Sequence, residues 1–164
     1  ITKLIENFEE NPDFKNIRDT LNQMELDDFD LTKFADKGAT LELYHPVEFK
    51  PFDEVINEST GKPLDAIFID VLGHDSKEYL DVMREEAKAA QTTGAIDPVE
   101  SQQRVFARMI KGWSGITRKG EAFDYSVENA QIMLVKYNWI AVQVKAFCED
   151  RANFFLSEKP KAKA

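Results

Sequence analysis

Apolar residues change their spacing twice along the chain. Over residues 1–36 they are sparse, and Phe8, Phe14, Ile17, Leu21 and Met24 recur at roughly helical intervals around Pro12 and Asp13. Asp13 is placed to cap a short helix over 14–25. The following MELDDFDLTKFADKG is acidic, and reads either as a short helix ending at Gly38 or as a loosely attached arm. From residue 39 the period becomes two. ATLELYHPV sets Leu41, Leu43 and His45 against Thr40, Glu42 and Tyr44, the pattern of a half-buried strand that Pro46 should end. LDAIFIDVLG repeats the alternation, with Ile67, Ile69 and Val71 on one face and Ala66, Phe68 and Asp70 on the other. Between them lies polar EFKPFDEVINESTGKP, whose STGKP end is a turn signal.

After residue 72 the period lengthens to that of a helix. Asp75 and Glu78 have capping-box spacing, and Tyr79, Leu80, Met83 and Ala87 form an apolar stripe reaching to about Ala90. Asp97, Pro98 and Glu100 start a second helix, with Val105, Phe106, Met109, Ile110 and Trp113 on its buried face. GWSGITRKGEAFDYS is rich in turn residues. Ser126 can cap a third helix carrying Val127, Ala130, Met133 and Leu134, and Asn138 allows a break. A fourth helix places Ile140, Val144, Phe147, Arg151 and Phe154 on one side. The expectation is an α+β fold, mainly α: an antiparallel β-hairpin (about 39–47 and 64–72) followed by four amphipathic helices. Residues 1–38 are read as an acidic N-terminal arm or short helices, 39–156 as a single domain, and 157–164 as a disordered tail.

The 164 residues include 12 Phe and are 43% hydrophobic, enough for one core. The net charge of −9 opposes binding to nucleic acid or to an anionic membrane. Acids outnumber bases up to residue 100, and bases outnumber acids beyond it. That basic third suits an acidic partner, the acidic N-terminal segment, or simply a mixed solvated surface. No run of 18 apolar residues suggests a membrane span, and the acidic start does not resemble a signal peptide. A cytosolic protein is expected.

Candidate chemistry is thin. His45 and His74 are the two histidines, and neither lies in an HxxxH or HExxH arrangement, so no metal or other cofactor is expected. His74 is better suited to organising the strand-to-helix turn. Cys148, the single cysteine, lies between Phe147 and Glu149 in an amphipathic helix and reads as a small packed residue rather than a nucleophile. STGKP is not a phosphate loop, and ELDDFD lacks the spacing of a calcium loop. No catalytic residue is marked out, and a role in binding is expected. The most informative segment runs from Trp113 to Phe155 and is crowded with rings. Most of these should knit the helices together. Trp113, Phe123, Tyr137, Trp139, Phe147, Arg151 and Phe154 are the candidates for a groove that accepts a partner helix.

Within that segment Trp113 precedes Gly115 and Ile116, and Phe123 precedes Ser126, Glu128, Asn129 and Ala130. Tyr137 is followed by Trp139 and Ile140, then Gln143, Val144 and Phe147, and Asp150 to Phe154 close the run. This pattern resembles small tailed-phage proteins described as tail assembly chaperones, encoded beside the tape-measure gene. KGATLELYHPV, KPL and VLGHDSKEY are similar to the N-terminal hairpin of such proteins, although the connection from Glu48 to Pro63 is longer than the family's short turn. The resemblance implies a chaperone in the host cytoplasm. It would bind the tape-measure protein, recruit tail-tube protein, and be absent from the mature virion. Apart from the resemblance, self-association is left open, since the residues do not specify an oligomeric state. A fraction extended by frameshifting is a further family property, and the Lys-rich KPKAKA end is compatible with it. Alternatives are a structural virion protein (tail completion, head–tail joining or decoration), a host-directed inhibitor, or a small hydrolase using His74 and an acid.

Overall fold

A computed structural model describes residues 22–155. The chain divides into two compact units, Ile1–Asp30 and Leu31–Ala164. In the first, the described part holds one 3-10 turn, Leu26–Phe29, with Asp27 and Asp28 at its start. Most of the helix expected over 14–25 lies outside the described residues, as does the tail 157–164.

The second unit begins with α1 (Leu31–Lys37), which ends at Gly38. Gly38 has φ +83°, and a Cβ there would stand 2.9 Å from the Val71 carbonyl oxygen, so both backbone angle and space require glycine. β1 (Ala39–Glu42) follows and pairs antiparallel with β4 (Phe68–Val71), with Leu41 opposite Ile69 and Ala39 opposite Val71. These four side chains are buried on one face, as the alternation predicts. The ordered ladder is shorter than 39–47 and 64–72. Beyond β1 the Leu43 N–H donates to the Ile67 carbonyl at 2.9 Å, and Tyr44 forms an isolated bridge with Pro51. The long connection then builds a 3-10 turn (Phe52–Glu54) and a small hairpin of β2 (Ile56–Asn57) and β3 (Lys62–Pro63), turning through Gly61.

Six helices are present among the described residues, and the fold is α+β, mainly α. α2 (Lys77–Thr93) is capped by Ser76, whose hydroxyl accepts from the Tyr79 N–H at 3.2 Å. The capping-box expectation for Asp75 is therefore corrected: its carboxylate takes Arg151 instead. The predicted stripe of α2 also shifts. Val82 is its buried residue, whereas Leu80 and Met83 are 51% and 43% exposed. α3 (Pro98–Met109) starts as expected, with Asp97 accepting from the Val99 N–H at 2.9 Å and Pro98 in its first turn. Charge holds α2 along α3: Arg104 and Ser101 converge on Glu86, and Arg108 reaches Glu78 and Glu85.

The largest departure follows α3. Ile110 and Trp113 fit the helical period of Val105, Phe106 and Met109, yet the helix ends at Met109, and β5 (Ile110–Ser114) joins β4 antiparallel. The sheet is three-stranded, in the order β1-β4-β5. Gly112 weakens a helix there and β-branched Ile110 suits a strand. The deciding factor is tertiary: β4 is sandwiched in the core, and its second edge needs hydrogen-bond partners that β5 supplies. β6 (Thr117–Arg118) and β7 (Glu121–Ala122) form a hairpin whose two turn residues, Lys119 and Gly120, both have positive φ. That is the turn whose twist matches the flanking strands.

α4 (Val127–Lys136) is capped by Ser126, and α5 (Asn138–Glu149) starts after the joint at Tyr137. The expected fourth helix is two: α5 stops at Glu149, and α6 (Ala152–Phe155) begins after a break at Asp150 and Arg151. Leu43, Ile69, Val71, Met109, Ile110, Met133, Leu134, Val144 and Cys148 form the centre of the core between sheet and helices. Full burial of such a side chain contributes roughly 1.5–3 kcal/mol.

Candidate functional site: a groove walled by rings

The turn after β5 shapes the site. Gly115 has φ +85°, and a Cβ there would lie 2.6 Å from the Ala66 carbonyl oxygen, so the bend is pressed against the strand-leading segment. The Phe123 N–H donates to the Ile116 carbonyl at 3.0 Å and closes the β6–β7 hairpin. Trp113 fastens that hairpin to the sheet. Its indole N–H donates to the Phe123 carbonyl at 2.6 Å, and its ring stacks on Phe123 with centroids 5.7 Å apart. Tyr125 stands edge-on to Trp113 at 5.3 Å and donates its hydroxyl to the Ile110 carbonyl at 2.9 Å. Burial, with Glu128 and Glu78 nearby, raises the pKa of that phenol, which keeps it a donor.

Tyr137, Trp139 and Ile140 from the α4–α5 joint line one space together with Phe123 and Met133. Leu43 and Ile67 form the floor, and Phe52, Leu64 and Asp65 come from the long connection. The space between is about 460 Å³, within the size range of ligand clefts. Phe52 links the walls, 6.1 Å from the Trp139 ring and 5.3 Å from that of His45. Among the described residues, the charged side chains lining the groove are Asp65 and Arg118, and the Arg118 guanidinium lies over the Phe123 ring at 5.9 Å.

Of the seven residues predicted from sequence, Phe123, Tyr137 and Trp139 line this groove, and Trp113 supports it from behind. Phe147, Phe154 and Arg151 are elsewhere. Phe147 and Phe154 pack edge-to-face at 5.7 Å, and Phe154 closes over Gly73, where a Cβ would meet its ring at 3.1 Å. Arg151 forms a two-pronged pair with Asp75, at 2.7 and 3.0 Å. These three tie the C-terminal turn to the start of α2. Leu43, Phe52, Leu64, Ile67 and Ile116 were missed. The signal for Phe52 was an aromatic residue inside an otherwise polar connection.

The other singled-out residues have structural partners. The His74 N–H donates to the Cys148 carbonyl at 3.0 Å, with the ring Nδ1 3.1 Å from the same oxygen, so His74 does organise the strand-to-helix turn. Cys148 is fully buried, and burial pushes its thiol well above the usual range. Among the described residues no group of three or more His, Cys, Asp or Glu side chains is placed to hold a metal ion, and no helix is long and apolar enough to cross a membrane.

Fold and site together define a small α+β domain with an open apolar groove between a hairpin and a helix joint. A family model described as YdaY prophage protein matches residues 74–163, more than half of the chain, and the chain belongs to that family. It is a phage-derived protein. The match spans α2 to α6 and so includes Phe123, Tyr137 and Trp139, whereas Phe52 precedes it. No curated protein and no solved structure matches the chain.

Proposed function

We propose that this protein is a phage tail assembly chaperone that acts by binding, not by catalysis, and holds an apolar segment of the tape-measure protein in the groove. The observation that carries the reading is the convergence of Phe52, Phe123, Tyr137 and Trp139 on one open cleft with two charged residues in its lining. Rigid rings make strong interface anchors because they bury much area at little entropic cost. A tape-measure protein is long and helical, and its apolar stripe needs cover until the tail tube surrounds it. A cleft of this kind takes one or two turns of such a helix. The prophage family supplies the phage setting, and the resemblance over residues 113–154 supplies the partner. In this reading the protein works in the host cytoplasm, helps bring tail-tube subunits to the loaded tape-measure protein, and leaves before the virion is complete.

The test is coexpression with overlapping tape-measure fragments from the same prophage, followed by copurification. Capture of an apolar helical fragment by the wild-type chain, lost with Trp139→Ala and Phe123→Ala in folded protein, is the expected result. Failure to capture any fragment overturns the reading. Recovery at stoichiometric copy number in purified virions replaces it with a structural virion role.

A further inference from the structure

Residues 44–51 form a loop that is tightly built for its exposure. One side chain holds its base: Gln143 accepts from the Tyr44 N–H at 2.8 Å and donates to the Tyr44 carbonyl at 2.9 Å. His45 organises the tip. Its N–H donates to the Lys50 carbonyl at 2.8 Å, and its carbonyl accepts from the Phe49 N–H at 3.0 Å. Its Nδ1 accepts from the N–H groups of Val47 and Glu48, both at 3.1 Å. What this scaffold presents is apolar: Val47 is 73% exposed and Phe49 78%. Phe49 also has φ +56°, a conformation disfavoured for any residue with a Cβ. Glycine would suit that position better, and among the described residues nothing covers the Phe49 ring. Strained backbone and exposed rings concentrate where a protein meets a partner.

We propose that the Phe49 loop of one copy inserts into the ring-walled groove of a second copy of this chain. The groove accepts a phenyl ring with Val47 beside it, being apolar and of about 460 Å³. Charges match as well. Phe49 lies between Glu48 and Lys50, which form a 3.3 Å ion pair, and the groove is lined by Arg118 and Asp65, one opposite charge for each. Finally, knob and hole are neighbours, since Phe52 touches both the His45 ring at the loop's base and the Trp139 ring in the groove. With both on one side of the molecule, a two-fold pair fills both grooves reciprocally, which closes the assembly instead of extending it. A further consequence rests on the proposed function: the loop shields the groove until a tape-measure segment displaces it.

Sedimentation velocity on the full chain over a wide concentration range tests the pairing. The wild type should form a dimer. Phe49→Gly should weaken it at least tenfold while leaving the circular dichroism spectrum of the folded chain unchanged, because glycine accepts the φ. Trp139→Ala should weaken it too. Mixing the two variants should restore heterodimer through the remaining intact loop and groove. A wild type that stays monomeric overturns the proposal, as does a dimer that Phe49→Gly leaves intact or one broken by Ile132→Glu on the outer face of α4 instead. The two readings separate cleanly: tape-measure capture by Phe49→Gly reports on the client groove without the loop, and dimerisation without any client reports on the loop-in-groove contact without the tape-measure protein.

Discussion

The Trp113 indole is joined to Phe123 twice, by a 2.6 Å hydrogen bond to its carbonyl and by a ring stack at 5.7 Å. The first contact fixes the backbone of the hairpin that follows β5, and the second fixes the side chain that enters the groove. Trp113→Phe keeps the stack and removes the donor. It should lower unfolding free energy by about 1–2 kcal/mol, the cost of leaving a partly buried carbonyl unpaired. Urea denaturation checks this.

Within the groove, truncating an anchor should affect binding more than folding. Under the proposed function, Trp139→Ala should reduce affinity for a tape-measure fragment by about 2 kcal/mol, or roughly 30-fold. Phe147→Ala, remote from the groove, should leave that affinity unchanged and lower stability instead. Titration calorimetry and thermal melts on the same samples separate the two effects.

Two glycines with similar backbone angles should respond differently to alanine. At Gly120, φ is +78° and nothing lies within 4 Å of an added Cβ, so Gly120→Ala should cost about 1 kcal/mol of backbone strain. At Gly115 the same strain is joined by a collision with the Ala66 carbonyl at 2.6 Å. Gly115→Ala should therefore cost about 3 kcal/mol or more, and deform the groove. Denaturant midpoints measured side by side would show the difference, and equal losses would contradict the geometry.

Asp75 gives a pH signature. Hydrogen bonds from Arg151 hold its carboxyl below the ordinary value of 3.8, against a smaller opposing effect of burial. A depressed carboxyl contributes stability that is fully present above that ordinary value and is lost as pH falls through the lower folded-state value. The difference in melting temperature between wild type and Asp75→Asn should stay constant at neutral and mildly acidic pH, then shrink below about pH 3.8. A difference that grew with acid would contradict the pair.

Cys148 should be inert. Its side chain is fully buried, and burial raises the thiol pKa. In native protein it should not react with a disulfide-exchange reagent on the timescale at which the urea-unfolded chain reacts fully. Cys148→Ser should cost about 1–3 kcal/mol by burying a hydroxyl in an apolar site. Rapid native labelling would contradict this assignment.

Local rules were readable where one physical requirement acts alone. Asp97 with Pro98, Ser126, and the alternation of Leu41, Ile69 and Val71 each depend on neighbours within a few residues, and the structure has them as the pattern predicts. Ile110 to Trp113 did not read correctly, because their spacing satisfies a helix and only the open edge of β4 requires a strand. Asp75 and Arg151 were assigned to helices by spacing. They are 76 residues apart and meet as an ion pair because α5 ends where α2 begins.

For the site, the sequence by itself determined that the chain is rich in rings after residue 113, that Asp97 and Ser126 cap two of its helices, and that it mixes strands with a majority of helix. These are properties of composition and period. Only the tertiary structure decided which rings face outward together. It sent Phe147 and Phe154 into the packing of the C-terminal turn, left Phe123, Tyr137 and Trp139 around an opening, and brought Phe52 from a polar connection to complete the wall. The physical reason is that a ring's sequence position specifies how much apolar surface it carries, whereas the surface left uncovered depends on how strands and helices distant in sequence fill the space around it.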